Sequence, residues 1–298
     1  MGKTSYNCTY LTSFYALQSR FTAYLLALLC NLEPHKKMKS STIYLSALLS
    51  LLVACQSGTQ ETPTEQPDGN PPAEGFNESS SDQKAIEVAD AVMEAMGGRK
   101  AWDTTQYIAW NFFGNRALLW DKQTGNVRID SPRDSTIYLI NIFDNTGKVM
   151  KNGEEITQPD SLQKYVDRGK GMWINDSYWL VMPFKLKDSG VTLTYKGEDT
   201  IPGGTAADVL QLQFQDVGNT PQNKYDVYVE KNSNLVKQWA YYREAAMDTP
   251  NFVTPWNDYQ QYGSILLGGN RGERAITDIK VLEEVPAEAF TSFEPVSM

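Results

Sequence analysis

Residues 177–186 read SYWLVMPFKL, an apolar and aromatic run lying between two tracts of β texture. Just upstream, Pro159-Asp160-Ser161 starts a helical stretch that passes through Leu162, Tyr165 and Val166 to Met172-Trp173. Left in water, the run 177–186 would be a large sticky patch, so it must lie against another element. The flanks say which. From Thr104 onward, strands are expected near 105–115, 116–121, 126–131, 135–143, 148–151, 190–196, 207–217, 224–231, 234–243, 257–263 and 274–283. Thr124-Gly125-Asn126, Asp144-Asn145-Thr146-Gly147 and Lys231-Asn232-Ser233-Asn234 supply the turns. Strands joined by such short turns form antiparallel hairpins.

Two of these strands, 107–113 and 137–143, are apolar on both faces and must be covered twice. Another alternates cleanly, with Leu210, Leu212 and Phe214 set against Gln211, Gln213 and Gln215. A helix laid into a curved antiparallel sheet satisfies both patterns. The expected fold is therefore mainly β with helices, a half-barrel of about eleven strands with a helical plug on its concave face. A further helix opens the domain. Asp82 stands at its N-cap, and Ala85, Ile86, Ala89, Val92, Met93 and Met96 form one stripe. Gly97-Gly98 supplies a left-handed stop.

Outward from that domain, residues 56–82 hold four prolines, six acids and no Lys or Arg. Such a segment cannot bury a core and reads as a disordered tether, ~90 Å when stretched and ~30 Å as a coil. Before it, Lys36, Lys37 and Lys39 precede the apolar run 43–54, which is too short to span a bilayer as a helix and reads as a secretory signal. The run ends Leu52-Val53-Ala54-Cys55, which resembles the lipobox of bacterial lipoproteins. Cys30, after the bulky Leu28-Leu29, fits that pattern badly. The resemblance implies cleavage before Cys55, acyl chains on its sulfur, and a lipid-anchored place in a bacterial cell envelope. Residues 1–54 are then a removed signal region, within which 1–37 reads as an over-extended start, since Met38-Lys39 begins a natural signal peptide. The organisation expected is 1–54 removed, 55–82 lipidated cysteine and tether, and 83–298 folded domain.

Composition closes off other functions. The whole chain carries 27 basic and 36 acidic residues, for a formal charge of −9. The removed region holds Lys3, Arg20, Lys36, Lys37, Lys39 and Glu33, so the mature chain stands at −13 and repels nucleic acid. Cleavage also takes away Cys8, Cys30 and the single histidine, His35, leaving Cys55 alone. Disulfides, Cys/His metal sites, cysteine nucleophiles and Ser-His mechanisms are thereby excluded, and no cofactor is expected.

A leading helix ending Met96-Gly97-Gly98 with Trp102 after it, the run Ser177–Leu186 with Asp188-Ser189-Gly190, Asn234-Leu235-Val236, and Phe252 to Tyr262 with Pro255-Trp256 and Asp258-Tyr259 resemble the LolA/LolB-type lipoprotein-carrier half-barrel. Within that superfamily the chain is similar to an uncharacterised group of outer-membrane lipoproteins, over roughly 83–290. The resemblance implies a concave apolar surface capped by helices, where known members bind lipid acyl chains. No short motif carries the carrier activity across.

Glu154-Glu155, Glu283-Glu284 and Asp188 could do acid–base work, but adjacent strand residues face opposite ways and so acid pairs prove little. Gly203-Gly204 and Gly268 to Gly272 lack phosphate-loop spacing and read as turns, with a mobile cavity rim as the second reading of Gly268 to Gly272. Trp110, Trp120, Trp173, Trp179, Trp239 and Trp256 fill a sheet–helix interface or line a ligand surface. The cavity residues expected are Trp110, Phe112, Tyr138, Ile140, Trp173, Trp179, Met182 and Phe184. The sequence thus predicts a non-enzymatic, monomeric lipoprotein of the outer membrane, anchored through Cys55, binding an apolar or amphipathic lipid-like ligand. The second reading is a surface lipoprotein that takes glycan or peptide on exposed Trp and Tyr.

The anchor is directly testable. Each buried methylene is worth about 0.8 kcal/mol of membrane binding, so loss of the acylated sulfur should release the protein. Cys55→Ser is expected to abolish labelling by a fatty-acid analogue, and undiminished labelling refutes the assignment.

Overall fold

Residues 69–215 and 217–296 are described by the computed structural model, within a unit spanning 65–298. The signal region, Cys55 and residues 56–68 lie outside the described residues.

The first helix, α1, spans Gln83–Ala95 and buries the stripe expected of it, Ala85 to Met93, with Met96 just beyond. Asp82 sits at the N-cap, yet its carboxylate makes no cap bond and accepts instead from the Tyr195 N–H at 2.8 Å. Gly97 (φ +116°) and Gly98 (φ +86°) are both left-handed. A Cβ on Gly97 would stand 2.4 Å from the Ser264 carbonyl, so glycine is required there twice over. Helix α2 follows at Gly98–Thr104.

Among the described residues fourteen strands form antiparallel sheets: β1 Tyr107–Phe112, β2 Arg116–Asp121, β3 Asn126–Ser131, β4 Thr136–Asn141, β5 Thr146–Lys151, β6 Glu154–Glu155, β7 Val191–Ile201, β8 Thr205–Phe214, β9 Lys224–Glu230, β10 Val236–Tyr242, β11 Phe252–Pro255, β12 Asn257–Tyr262, β13 Ile265–Asn270 and β14 Ile276–Leu282. One sheet has the order β14-β1-β2-β3-β4-β5-β6, a second β11-β10-β9-β8-β7, and β12 pairs β13. A bridge between Asn270 and Ala275 links β13 toward β14, and only Trp256 separates β11 from β12. Strands that follow one another in the chain therefore lie side by side almost throughout. The exceptions are β11 to β12, β13 to β14 beyond that single bridge, and β6 to β7, where β6 and β7 each stand at an outer edge, so the sheet is not closed.

The chain between β6 and β7 is helix α3, Pro159–Val181, running on into a 3₁₀ turn at Met182–Lys185. The stretch read as a helix and a separate apolar run is thus a single 23-residue helix and its tail. Its buried stripe is Val166, Gly169, Asp176, Ser177, Leu180 and Val181, half of it not apolar. Gly169 lets the helix axis come close to β4: a Cβ there would meet Tyr138 Cδ1 at 3.0 Å and Ile140 Cδ1 at 3.1 Å. One core joins α1 and α3 to the inner faces of both larger sheets, including Ile108, Trp110, Leu118, Ile129, Leu193, Leu210, Val227 and Trp239. The outer face of β1 and β2 is covered as well. Ala109 and Leu119 pack under Ala289, Val285 and Phe290, while Arg128 donates to the carbonyls of Ala289 and Ser292.

Two further expectations shift. The polar segment read as tether up to Asp82 lies on the domain from Ala73 onward. Its backbone bonds to the carbonyls of Lys187, Val191 and Leu193 at 2.8–3.0 Å, and Phe76 packs on the core. It covers the free edge of β7, with Ser81 Oγ and Asp82 receiving the Leu193 and Tyr195 N–H groups. Edge pairing uses backbone, Ser and Asp, which a count of apolar residues does not see. The pair Gly268-Gly269 is not a turn but part of β13. A Cβ on Gly269 would sit 2.6 Å from the Ile276 carbonyl and one on Gly268 3.0 Å from that of Asn257, so two backbones pass too closely for any side chain.

A buried ion pair ties α3 to the sheet. Arg116 of β2 meets the fully buried Asp176 in a bidentate contact, Nε–Oδ2 2.7 Å and Nη2–Oδ1 2.8 Å. Burial pushes the Asp176 carboxyl up, while the contact raises the Arg116 guanidinium further above its ordinary value. Removing one partner of such a pair strands the other. Arg116→Ala leaves a carboxyl with no access to water and is expected to cost about 4 kcal/mol in urea unfolding, near the usual figure for breaking a buried pair. Asp176→Asn leaves the guanidinium half-solvated and should cost distinctly less. Equal losses would show that the pair does not carry the packing of α3.

Candidate functional site

The C-terminal half of α3 passes between two hollows, and Trp179 forms part of the wall of each. The first, about 290 Å³, lies between Tyr178 and Trp179 of the helix, Phe214, Tyr225 and Trp239 of the five-stranded sheet, and residues 217–220. Its rings interlock. Tyr225 stacks on Trp239 at 4.9 Å, Phe214 meets Tyr225 edge-on at 5.7 Å, and Trp179 meets Trp239 edge-on at 4.8 Å. Two polar atoms in this wall, Tyr178 Oη and Trp239 Nε1, are buried without a hydrogen-bond partner. Burial holds the Tyr178 phenol well above its usual range and pushes Tyr225 up to about 12.

The second hollow, about 540 Å³, is bounded by Trp179, Phe252, Val253, Thr254, Pro255 and the loop Arg271–Arg274. Phe252 is 40% exposed and Val253 51%, so an apolar rim meets water at its mouth. Phe252 stacks on Tyr241 at 4.9 Å and on Trp179 at 6.0 Å, extending the aromatic row from the core to the rim. Arg271 is 4% exposed and lies over the face of Trp256, 3.5 Å from its centroid. Burial pulls its guanidinium down to about 9. A third hollow, about 290 Å³, runs past Ala109, Trp110, Ala117, Asp278 and Val296.

The expected cavity residues divide. Trp110, Phe112, Tyr138, Ile140, Met182 and Phe184 are all buried in the core. Phe184 stacks on Trp102 at 4.3 Å, Phe112 lies 4.1 Å from Phe113, and Trp173 meets Trp120 edge-on at 5.2 Å. The rings that meet Trp179 are Phe113, Trp239 and Phe252. Trp179 therefore looks toward the five-stranded sheet rather than toward β4. Trp179 borders the two hollows beside the helix, and Trp110 borders the third. Sequence reasoning did not single out Tyr225, Phe214, Phe252 or Arg271. Tyr225 and Phe214 lie on expected strands, Phe252 lies outside all of them, and Arg271 stands in the glycine-rich run 268–272 read as a turn. Among the described residues no three Asp, Glu, His or Cys side chains gather to hold a metal ion, and no helix is long and apolar enough to cross a membrane.

No family model and no curated protein matches the chain. It is similar to a DUF1329 family protein of Desulfovibrio piger, with 12% identity, a TM-score of 0.40 and coverage of 69% of this chain and 96% of that one. It is also similar to an outer-membrane lipoprotein-sorting protein domain of Vibrio parahaemolyticus, with 9% identity, a TM-score of 0.38 and coverage of 70% and 96%. A LolA superfamily protein of Nitrosomonas europaea gives 8%, 0.31, 70% and 97%. These likenesses pass no residue role, ligand or partner to this chain.

The buried phenols set an alkaline limit. Tyr225 ionises near 10 when unfolded and near 12 when folded. Stability from keeping it neutral is present below pH 10 and is lost as pH rises toward 12. Lys122, pulled down to about 8 by burial, acts in the opposite sense between pH 8 and 10.5, and Arg271, pulled down to about 9, does so above pH 9, but the buried phenols of Tyr178, Tyr242 and Tyr259, raised like that of Tyr225, together outweigh them. The melting temperature is expected to fall between pH 10 and 12, and Tyr225→Phe should flatten the fall. A flat wild-type profile across that window would refute the account.

Proposed function

We propose that this chain is a bacterial envelope lipoprotein, held at the outer membrane by lipidated Cys55, that binds an apolar or amphipathic lipid-like ligand beside Trp179. The observation that carries the reading is the continuous aromatic row from Trp239 through Trp179 to the half-exposed Phe252, flanked on both sides by open space. Hollows of about 290 and 540 Å³ bracket the lower part of the range used by small-molecule sites, which runs from about 300 to 1,000 Å³. The rings of the walls give an apolar ligand contact area, and a non-enzymatic binding role is the reading we adopt. Trp179 would touch the ligand, while Trp110, Phe112, Tyr138, Ile140, Trp173, Met182 and Phe184 line neither of these hollows and would serve the packing around α3.

The glycan or peptide reading requires a row of exposed Trp and Tyr on the surface. Among the described residues none of either type is exposed, and the large apolar side chains that are exposed are Phe143, Phe252 and Val253. Phenylalanine gives a sugar no hydrogen bond. The lipid reading is the better supported.

The test separates stability from binding. Trp179 is half-buried, so Trp179→Ala is expected to cost about 2 kcal/mol, below the ~3–5 kcal/mol of a fully buried Trp. Uptake of a fluorescent fatty-acid probe should drop much further than the stability loss explains. A wild-type chain that takes up no acyl probe and co-purifies with no lipid in native mass spectrometry would overturn the reading.

A further inference from the structure

Arg271 sits where a cation should not be left alone. It lies in the run Gly268-Gly269-Asn270-Arg271-Gly272, and its backbone is fixed by its own N–H to the Arg274 carbonyl at 2.9 Å and by Thr254 Oγ1 on its carbonyl at 3.1 Å. A buried charge is ordinarily matched by a carboxylate. Among the described residues no Asp or Glu pairs with Arg271, although Glu273 lies on the same cavity wall. Two neighbours offset the charge in part. The face of Trp256 lies under the guanidinium, and Nη2 donates to the Trp179 carbonyl at 2.6 Å.

That second bond has a sequence cause. The carbonyl of Trp179 would normally accept the N–H of residue 183, four positions on, but residue 183 is proline and has none. Arg271 takes the vacant place at the negative end of α3. Helix capping explains that contact, and Nη1 donates to the Asn270 carbonyl at 2.8 Å. A guanidinium has five N–H donors in a fixed planar fork. Three remain, and Nε has no partner at all. They belong to a side chain that forms part of the wall of the 540 Å³ hollow, opposite the apolar rim of Phe252 and Val253.

We propose that Arg271 is the anion-binding residue of this hollow, and that the ligand is a single-chain amphipath bearing a carboxylate or phosphate head. The proposal rests on the lipid-binding reading above and deepens it. The head accepts the free donors of Arg271, and the chain lies along Phe252 and Trp179 toward the mouth. The stack on Trp256 fixes the plane of the fork, so the ligand does not have to order it. Arg274, also on this wall, is exposed, with its guanidinium 5.6 Å from the Phe113 ring, and adds only long-range attraction.

Full-length protein titrated at neutral pH with dodecanoate, dodecyl phosphate and dodecan-1-ol, each below its micellar concentration, tests this. A hydrogen-bonded charge pair in a desolvated pocket is worth roughly a factor of ten or more in affinity, so at least one anion should bind about tenfold more tightly than the alcohol. Whichever anion is tighter names the head. Arg271→Gln should erase the difference, while Arg274→Gln, which removes a charge from the same loop, should keep it. Should Arg271→Gln fail to fold, Arg271→Lys keeps the charge without the fork and should shrink the preference several-fold. Equal binding of alcohol and anions in the wild type leaves the lipid reading standing and overturns the role of Arg271. Loss of the preference in Arg274→Gln alone, or its persistence in Arg271→Gln or at full size in Arg271→Lys, overturns it too. If none of the three binds, the lipid reading falls and this proposal falls with it.

Discussion

Everything in this domain depends on laying a 23-residue helix across an antiparallel sheet that does not close. The sheet cannot fill its own interior, because β6 and β7 never pair and the faces that turn inward are apolar. The helix α3 supplies the missing half of the core. It approaches β4 closely only because residue 169 is glycine, and the bidentate contact of Asp176 with Arg116 fixes its position along β2. Dispersion at the glycine contact sets the distance between the layers, and the ion pair sets the register. Neither works alone. A close approach without a polar anchor could slide, and a buried carboxylate without its guanidinium would not stay buried.

The same helix sets where open space remains. Its N-terminal and middle parts meet β4, β5 and β2 with glycine and valine, which fill the gap. Its C-terminal part carries Tyr178 and Trp179 toward β10 and β11, where bulky rings stack with gaps between them. Pro183 ends the ladder of helix hydrogen bonds just there, leaving a carbonyl for Arg271 to take. The termination of the helix, the burial of Arg271 and the hollow beside it are thus parts of one arrangement.

Much of the fold could be read from the chain. The leading helix and its Gly97-Gly98 stop, the antiparallel hairpins, and the need for a plug between strands followed from spacing, turn chemistry and the apolar run 177–186. The readings that shifted share a cause. Alpha-helical periodicity in α3 is masked because its buried stripe includes Gly169, Asp176 and Ser177, which a hydropathy pattern counts as surface. Strand β13 is masked by Gly268-Gly269, present for the close passage of backbones. The segment ahead of Asp82 reads as tether because its contacts with β7 are made by main chain and short polar side chains. In each case the deciding contact is steric or made by backbone, and composition does not record it.

The site was less legible than the fold, for a related reason. Of six tryptophans the sequence reading placed Trp110, Trp173 and Trp179 at a cavity, and nothing in one chain says which are surrounded on all sides. That depends on curvature. Rings on β1 and β2, and those on the tail of α3 facing them, meet a layer held close by Gly169 and the Arg116–Asp176 pair, and so are enclosed. Trp179 lies one turn beyond Asp176, where the helix leaves that sheet for the other. Of the tryptophans on the helix, it alone lines the hollows on either side, with a half-exposed ring at one and interlocked rings at the other. A ligand in either of these two hollows therefore meets Trp179, whereas the buried Trp239 walls only the first and Trp256 stands behind it, packed edge to face.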